Sequence, residues 1–151
     1  MIRIATTDDA LVIARTLRAF NAEYDDPAPE ESWLAARVAD LLGDDTLVVL
    51  SEQSEEVVGL ALLRIRRSLW EDADEAYLAE LYVRPELRGR GLGKALLVET
   101  MAEARRRGCT YMDLTTTNQD EAAVALYESV GFDRHERSGP DTWSYYFEID
   151  L

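Results

Sequence analysis

The sequence predicts an α/β protein (α+β mixed) in which a mixed sheet is flanked by helices, neither a regularly wound βαβ array nor a barrel. Three observations carry this. Short apolar and β-branched runs of strand length mix irregularly with longer stretches of helical periodicity. Two such runs, TLVVLSE and VVGLALLRIR, are joined by the polar turn SEQSEE, the signature of a hairpin. A glycine-rich stretch, RGRGLGK, then stands where a strand gives way to a helix.

Taken in order, IRIA (2–5) reads as a short opening strand. Thr7, Asp8 and Asp9 supply N-cap chemistry for a helix whose apolar stripe is Leu11, Ile13, Ala14, Leu17 and Phe20. Asp25-Asp26-Pro27-Ala28-Pro29 breaks the chain, and SWLAARVADLLG forms a second helix closed by Gly43. The paired strands follow over 46–52 and 57–66. SLWEDADEA is an acidic connection, and YLAELYVRP (77–85) is a fourth strand ended by Pro85. GLGKALLVETMAEARRRG is a helix with Leu92, Leu96, Leu97 and Met101 on one face. Arg105, Arg106 and Arg107 complement its dipole, and Gly108 stops it. YMDLTTT (111–117) is a fifth strand, DEAAVALYESVG a helix ended by Gly131, and TWSYYFEID (142–150) a closing strand.

At 151 residues and 47% hydrophobic, the chain is long and apolar enough for one domain over 1–151 with its own core. The first segment has no signal-type apolar core, and no stretch approaches the roughly 18 apolar residues of a membrane span. The expected compartment is the cytoplasm. A net charge of −14 argues against nucleic acid and anionic membranes as partners, and suits a cationic substrate or simply solubility. Cys109 and His135 are each the single residue of their kind, so no intrachain disulfide and no His-rich metal site is expected. Cys109 reads as a buried spectator thiol. His135, within DRHER, reads as part of a solvated surface. No metal is expected.

RGRGLGK carries the functional argument. Glycines at Gly89, Gly91 and Gly93 let main-chain N–H groups point at an anion, either because a Cβ would block approach or because φ must be positive. The helix N-terminus adds about half a positive charge, and Arg88, Arg90 and Lys94 add cationic density. A nucleotide P-loop fails, because Arg88 stands at its first glycine and Ala95 at its Ser/Thr. A dinucleotide fingerprint fails as well, ending on Lys94 or Leu96 where glycine is required. What remains is R-x-x-G-x-G from Arg88 to Gly93.

LAELYVRPELRGRGLGKALL resembles the pyrophosphate-binding motif Q/R-x-x-G-x-G/A of the GNAT N-acetyltransferase superfamily, and ALYESVGF (125–132) resembles its later helix with a tyrosine and a terminal Gly-Phe. The resemblance is weakest over the first 45 residues. It implies a central mixed, mostly antiparallel sheet of about six to seven strands flanked by about four helices, with acetyl-CoA as co-substrate. It places the pantetheine arm on main-chain groups of Leu81, Tyr82 and Val83, and the diphosphate on main-chain groups of Arg88, Gly89, Arg90, Gly91, Leu92, Gly93 and Lys94. Tyr127 matches the tyrosine beside the thioester sulfur, as general acid or as packing. A phenol of pKa about 10 can protonate a thiolate of pKa about 8.5. Asn118 and Asp120 are further cofactor-side candidates. Asp120 departs from the family's asparagine seven residues before the tyrosine and is also a candidate helix cap.

An alkylamine of pKa near 10 is neutral about once in a thousand at pH 7, so a base is needed. Glu80 is the first candidate, as base or as an anion that attracts the ammonium. Asp113 is the second, unless it is a solvated strand-edge carboxylate. The implied reaction is direct attack of the amine, with main-chain N–H groups near Tyr82 on the oxyanion. YLAELYV is similar to the corresponding strand of diamine and polyamine acetyltransferases, which implies a small cationic amine acceptor and a homodimer. Aminoglycosides, protein N-termini and lysines are alternative acceptors, and a non-catalytic acyl-CoA-binding module is an alternative role. Asp25-Asp26 and Glu71 to Glu75 either flank the acceptor's entrance or are ordinary loops. Trp33 and Trp70 either line the pocket or pack.

Overall fold

A computed structural model describes residues 1–43, 45–135 and 147–150. The closing strand expected over 142–150 falls largely outside the described residues. The chain divides into two compact units, Met1–Leu114 and Thr115–Leu151.

The first unit is built on a sheet of β1 (Ile2–Ile4), β2 (Thr46–Gln53), β3 (Glu56–Arg67), β4 (Asp74–Val83) and β5 (Cys109–Leu114), in that spatial order. All neighbours are antiparallel except β4 and β5, which run parallel and are joined through helix α3 (Leu92–Arg106). A parallel pair needs such a crossover, whereas antiparallel neighbours need only a turn. Five strands lie among the described residues, against the six to seven expected, and the mixed, mostly antiparallel character is as expected.

Helices α1 (Ala10–Glu23) and α2 (Glu31–Leu41) pack on one face of the sheet through Ala10, Ile13 and Val38 against Val48, Leu50, Leu60 and Tyr82. Helix α3 packs against β2, β3, β4 and β5 and buries Leu96, Leu97, Thr100 and Ala104. Strands covered on both faces carry continuous rather than alternating apolar sequence, which is why β2 reads TLVVL. Ile13, Leu50, Leu60, Leu63, Leu96 and Leu97 are fully buried, each contributing about 1.5–3 kcal/mol of transfer free energy.

Several boundaries differ from the sequence reading. Thr7–Asp9 form a single 3-10 turn before α1; Thr6 caps that turn, its N–H donating to Asp9 Oδ2 at 2.8 Å, and Asp9 is the N-cap residue of α1. Leu11 lies outside the α1 stripe and is exposed, because it is rotated about 100° from Ala10, beyond the face that Ala10 makes with Ile13 and Ala14. In α3 the buried set includes Thr100 and Ala104 while Met101 is only half-buried. Arg106 and Arg107 pair with the carboxylate of Glu103 at 2.7 and 2.9 Å. The acidic connection is shorter than read, since Asp74, Glu75 and Ala76 already pair with Arg67, Arg66 and Ile65. Strand β5 starts at Cys109 and stops at Leu114, so Thr115 to Thr117 are not strand.

Candidate active site

Strand β4 ends at Val83, a 3-10 turn spans Pro85–Leu87, and α3 begins at Leu92. Gly89 and Gly91 hold φ of 72° and 82°, the left-handed region. A Cβ built on either meets nothing within 4 Å, so it is the backbone angle and not crowding that calls for glycine here. Gly91 is the N-cap of α3 and no side chain caps the helix. The first helical bond is Ala95 N–H to Gly91 O at 3.0 Å, so the amides of Leu92, Gly93 and Lys94 have no carbonyl partner within the helix. Arg90 and Lys94 are exposed, and among the described residues neither enters an ion pair.

Among the described residues, the strand leading into this loop has an open edge. Pairing of β4 with β5 ends at Leu78↔Leu114 among the described residues. On the other side, β4 stays paired with β3 through Gly59↔Val83, with a bulge at Ala79 where the register shifts between Leu62 and Leu63. Arg84 N–H donates to Val58 O at 2.9 Å. By antiparallel alternation the main-chain groups of Tyr82 and Glu80 then face β3, and those of Leu81 and Val83 face the open edge. Gly59 sits under this segment, and a Cβ there would stand 2.7 Å from Tyr82 O.

Glu80 lies opposite Leu62, in the row next to Leu60 and Tyr82. It therefore sits on the sheet face covered by α1 and α2, at the border of their apolar cluster. Burial pushes its carboxyl above the ordinary glutamate value, and among the described residues no cation pairs with it. Beyond the bulge the same face continues as Tyr77 and Glu75 on β4 and Asp113 and Tyr111 on β5. Asp113 is held there by Arg66 at 3.3 Å, and Arg66 also pairs with Glu75 at 3.0 Å.

Arg88 turns back into the protein. Its Nε donates to Val83 O at 2.8 Å and its Nη2 to Glu23 at 2.7 Å, with the guanidinium 5.6 Å from the Tyr82 ring centre. The Tyr82 hydroxyl bonds to Glu23 as well, and burial with that carboxylate raises its pKa to about 12. Nothing local in the sequence marks Glu23. Of the acidic stretch, Glu71 accepts from Thr110 and Glu75 from Ser68 and Arg66, so both are structural partners of the β3–β4 turn. Trp33 and Trp70 are exposed, so neither packs as the simpler sequence reading expects. Cys109 is buried, and its thiol is raised by that burial.

In the second unit, helix α4 (Glu121–Ser129) is capped by Asp120, whose carboxylate accepts from Ala123 N–H at 3.0 Å. Asn118 lies in the exposed turn just before it. Tyr127 is half-buried and meets Phe132 edge-on at 5.8 Å. His135 bonds to Asp133 at 2.9 Å. Among the described residues no group of three metal-ligating side chains converges, and no helix is long and apolar enough to cross a membrane.

The chain is similar to known proteins over nearly its whole length. The profile of the acetyltransferase (GNAT) family matches residues 13–132. An aminoglycoside N(6')-acetyltransferase type 1 from Stenotrophomonas maltophilia is 32% identical over 90% of this chain and 88% of its own. The crystal structure of a candidate acetyltransferase from Arthrobacter sp. FB24 superposes with a TM-score of 0.89 at 37% identity, covering 99% of this chain and 95% of that one. An aminoglycoside acetyltransferase from an uncultured soil metagenomic sample, solved with sisomicin, shares the fold at a TM-score of 0.79 and 16% identity, covering 99% and 96%. An uncapped helix start behind two left-handed glycines, an open strand edge leading into it, and this family match over most of the length together make the chain a member of the acetyltransferase (GNAT) family, and an N-acetyltransferase.

Proposed function

We propose that the protein transfers an acetyl group from acetyl-CoA to a primary amine of a small, polycationic acceptor, by direct attack in a ternary complex. GNAT acetyltransferases use acetyl-CoA. One observation carries the reading for this chain: the open edge at Leu81 and Val83 runs straight into the uncapped amides of Leu92, Gly93 and Lys94. An extended amide-bearing arm followed by a diphosphate fits that sequence of groups, strand edge first and helix N-terminus second. Arg90 and Lys94 add the cations.

Acetyl-CoA supplies an activated acyl carbon. The protein's own residues supply the rest. Glu80, raised by burial and unpaired among the described residues, takes the ammonium proton directly or through a water. The Leu81 N–H, on the edge of β4 that is unpaired among the described residues, donates to the developing negative charge on the carbonyl oxygen. Tyr127 returns a proton to the departing sulfur. The amine nitrogen gains the acyl group as the C–S bond breaks; the ammonium gives one proton to Glu80 before attack, Tyr127 gives one to the sulfur, and the second proton to leave the nitrogen as the amide forms passes through water to restore Tyr127. Asp113 is the weaker candidate for the base, since its carboxylate is engaged by the Arg66 guanidinium at 3.3 Å.

The relative named as an aminoglycoside acetyltransferase supports a small amine acceptor, and the net charge of −14 supports a cationic one. The test is thiol release from acetyl-CoA over a panel of spermidine, aminoglycosides and short peptides. Turnover on a small polyamine or aminoglycoside is expected, with Tyr127→Phe and Glu80→Gln each lowering kcat by about a hundredfold. Turnover confined to peptides would move the acceptor to protein N-termini. Coenzyme binding without turnover on any amine would leave a non-catalytic acyl-CoA-binding module.

A further inference from the structure

We infer that Arg88 is a positioning residue: its side chain is a strut from the end of β4 to the last residue of α1, and it holds the coenzyme loop in shape instead of ligating phosphate. This rests on reading the loop as the diphosphate site. Two of the three guanidinium nitrogens are engaged within the protein. Nε donates to Val83 O at 2.8 Å, Nη2 donates to Glu23 at 2.7 Å, and the cation lies 5.6 Å from the Tyr82 ring centre. Tyr82 in turn packs on Phe20 of α1 at 5.1 Å. A cation offered to phosphate would not be neutralised by a carboxylate at that distance. Arg90 and Lys94, which enter no ion pair among the described residues, are the charges left for the ligand.

The strut matters because the loop beyond it is rich in glycine. Gly89 and Gly91 both sit at positive φ, and glycine has the most conformational freedom to lose. A loop fixed at its first residue loses less of that freedom when the ligand arrives, so binding is tighter for the same contacts. The strut also ties the loop to α1, the helix that covers the Glu80 face of the sheet.

Electrostatics and strut predict opposite signs for one substitution. Glu23→Gln removes a negative charge near an anion site, so charge alone would tighten coenzyme A. Loss of the strut weakens it, by about two- to fivefold for a partly exposed pair. The experiment is calorimetric titration of coenzyme A into the full chain as wild type, Glu23→Gln, Arg88→Gln, the double variant and Arg90→Gln. Expected are weaker binding in Glu23→Gln and a double variant no weaker than Arg88→Gln. The slope of affinity against salt should be unchanged in Glu23→Gln but reduced in Arg90→Gln. Amide exchange over Leu87–Lys94 without ligand should be faster in Glu23→Gln, which keeps the inference testable if Arg88→Gln fails to fold. Glu23→Gln binding as tightly as wild type or tighter, or unchanged exchange, overturns the strut alone. Wild-type protein that takes up no coenzyme A overturns the diphosphate reading, and the strut's role in binding with it.

Discussion

Glu80 is held on the sheet face at the edge of an apolar cluster, and its raised carboxyl has burial as its only cause. This makes it a better base near neutrality and a cost to the fold. Below the ordinary glutamate value both folded and unfolded chains carry the proton, and the residue is neutral in effect. As pH rises from that value through the folded pKa, the unfolded chain releases the proton first, and stability falls. Glu80→Gln should therefore melt higher than wild type at pH 7, with the gap closing below about pH 4.5, while activity is lost. Equal melting temperatures across pH 4–8 would show that the carboxylate is not desolvated. At this scale the sequence was informative where a residue's chemistry is local. Glu80 is visible as a carboxylate in an apolar strand, and Gly91 as a glycine before a helix. Glu23 was not legible, because its partner Arg88 is 65 positions away and only the packing of α1 on β4 brings them together.

Elements were legible where pattern and burial agree, and their ends were not. The hairpin between β2 and β3 turns on Ser54 and Glu55, both at positive φ, between the paired residues Gln53 and Glu56. That is the two-residue geometry normally given to Asn-Gly, and SEQSEE contains neither asparagine nor glycine. Ser54→Asn with Glu55→Gly should stabilise the protein by about 1 kcal/mol, seen as a higher urea midpoint at unchanged m-value. No gain would mean that the flanking strands impose the turn without strain. The bulge in β4 could have been read from spacing. Leu78 and Leu81 both align with the row facing α3, yet they are three residues apart, an odd step that a regular strand cannot place on one face. The start of β4 was not readable from apolar pattern, since polar Asp74 and Glu75 enter the ladder opposite Arg67 and Arg66, with Glu75 paired to Arg66 at 3.0 Å.

On the scale of the whole molecule, charge is the property that can be known without a fold. Helix and strand order needed only periodicity, but the opening between β4 and β5 needed a crossover that no local pattern describes. Net charge needs neither. At −14 the chain sets up a negative field that extends about a Debye length, roughly 8 Å at physiological salt. A field of that kind concentrates cations at the surface in proportion to their own charge and acts before any specific contact forms. The proposed acceptor class then has a signature independent of which amine it is. KM for a polycation such as spermidine should climb as sodium chloride is raised, and climb more steeply than KM for a monoamine acetylated at the same site. Both should keep kcat constant, because the buried environment of Glu80 is screened far less than the surface. Equal slopes for the two acceptors would remove the global field from acceptor selection and leave the choice to contacts within the site. A falling kcat would mean instead that salt reaches the chemical step.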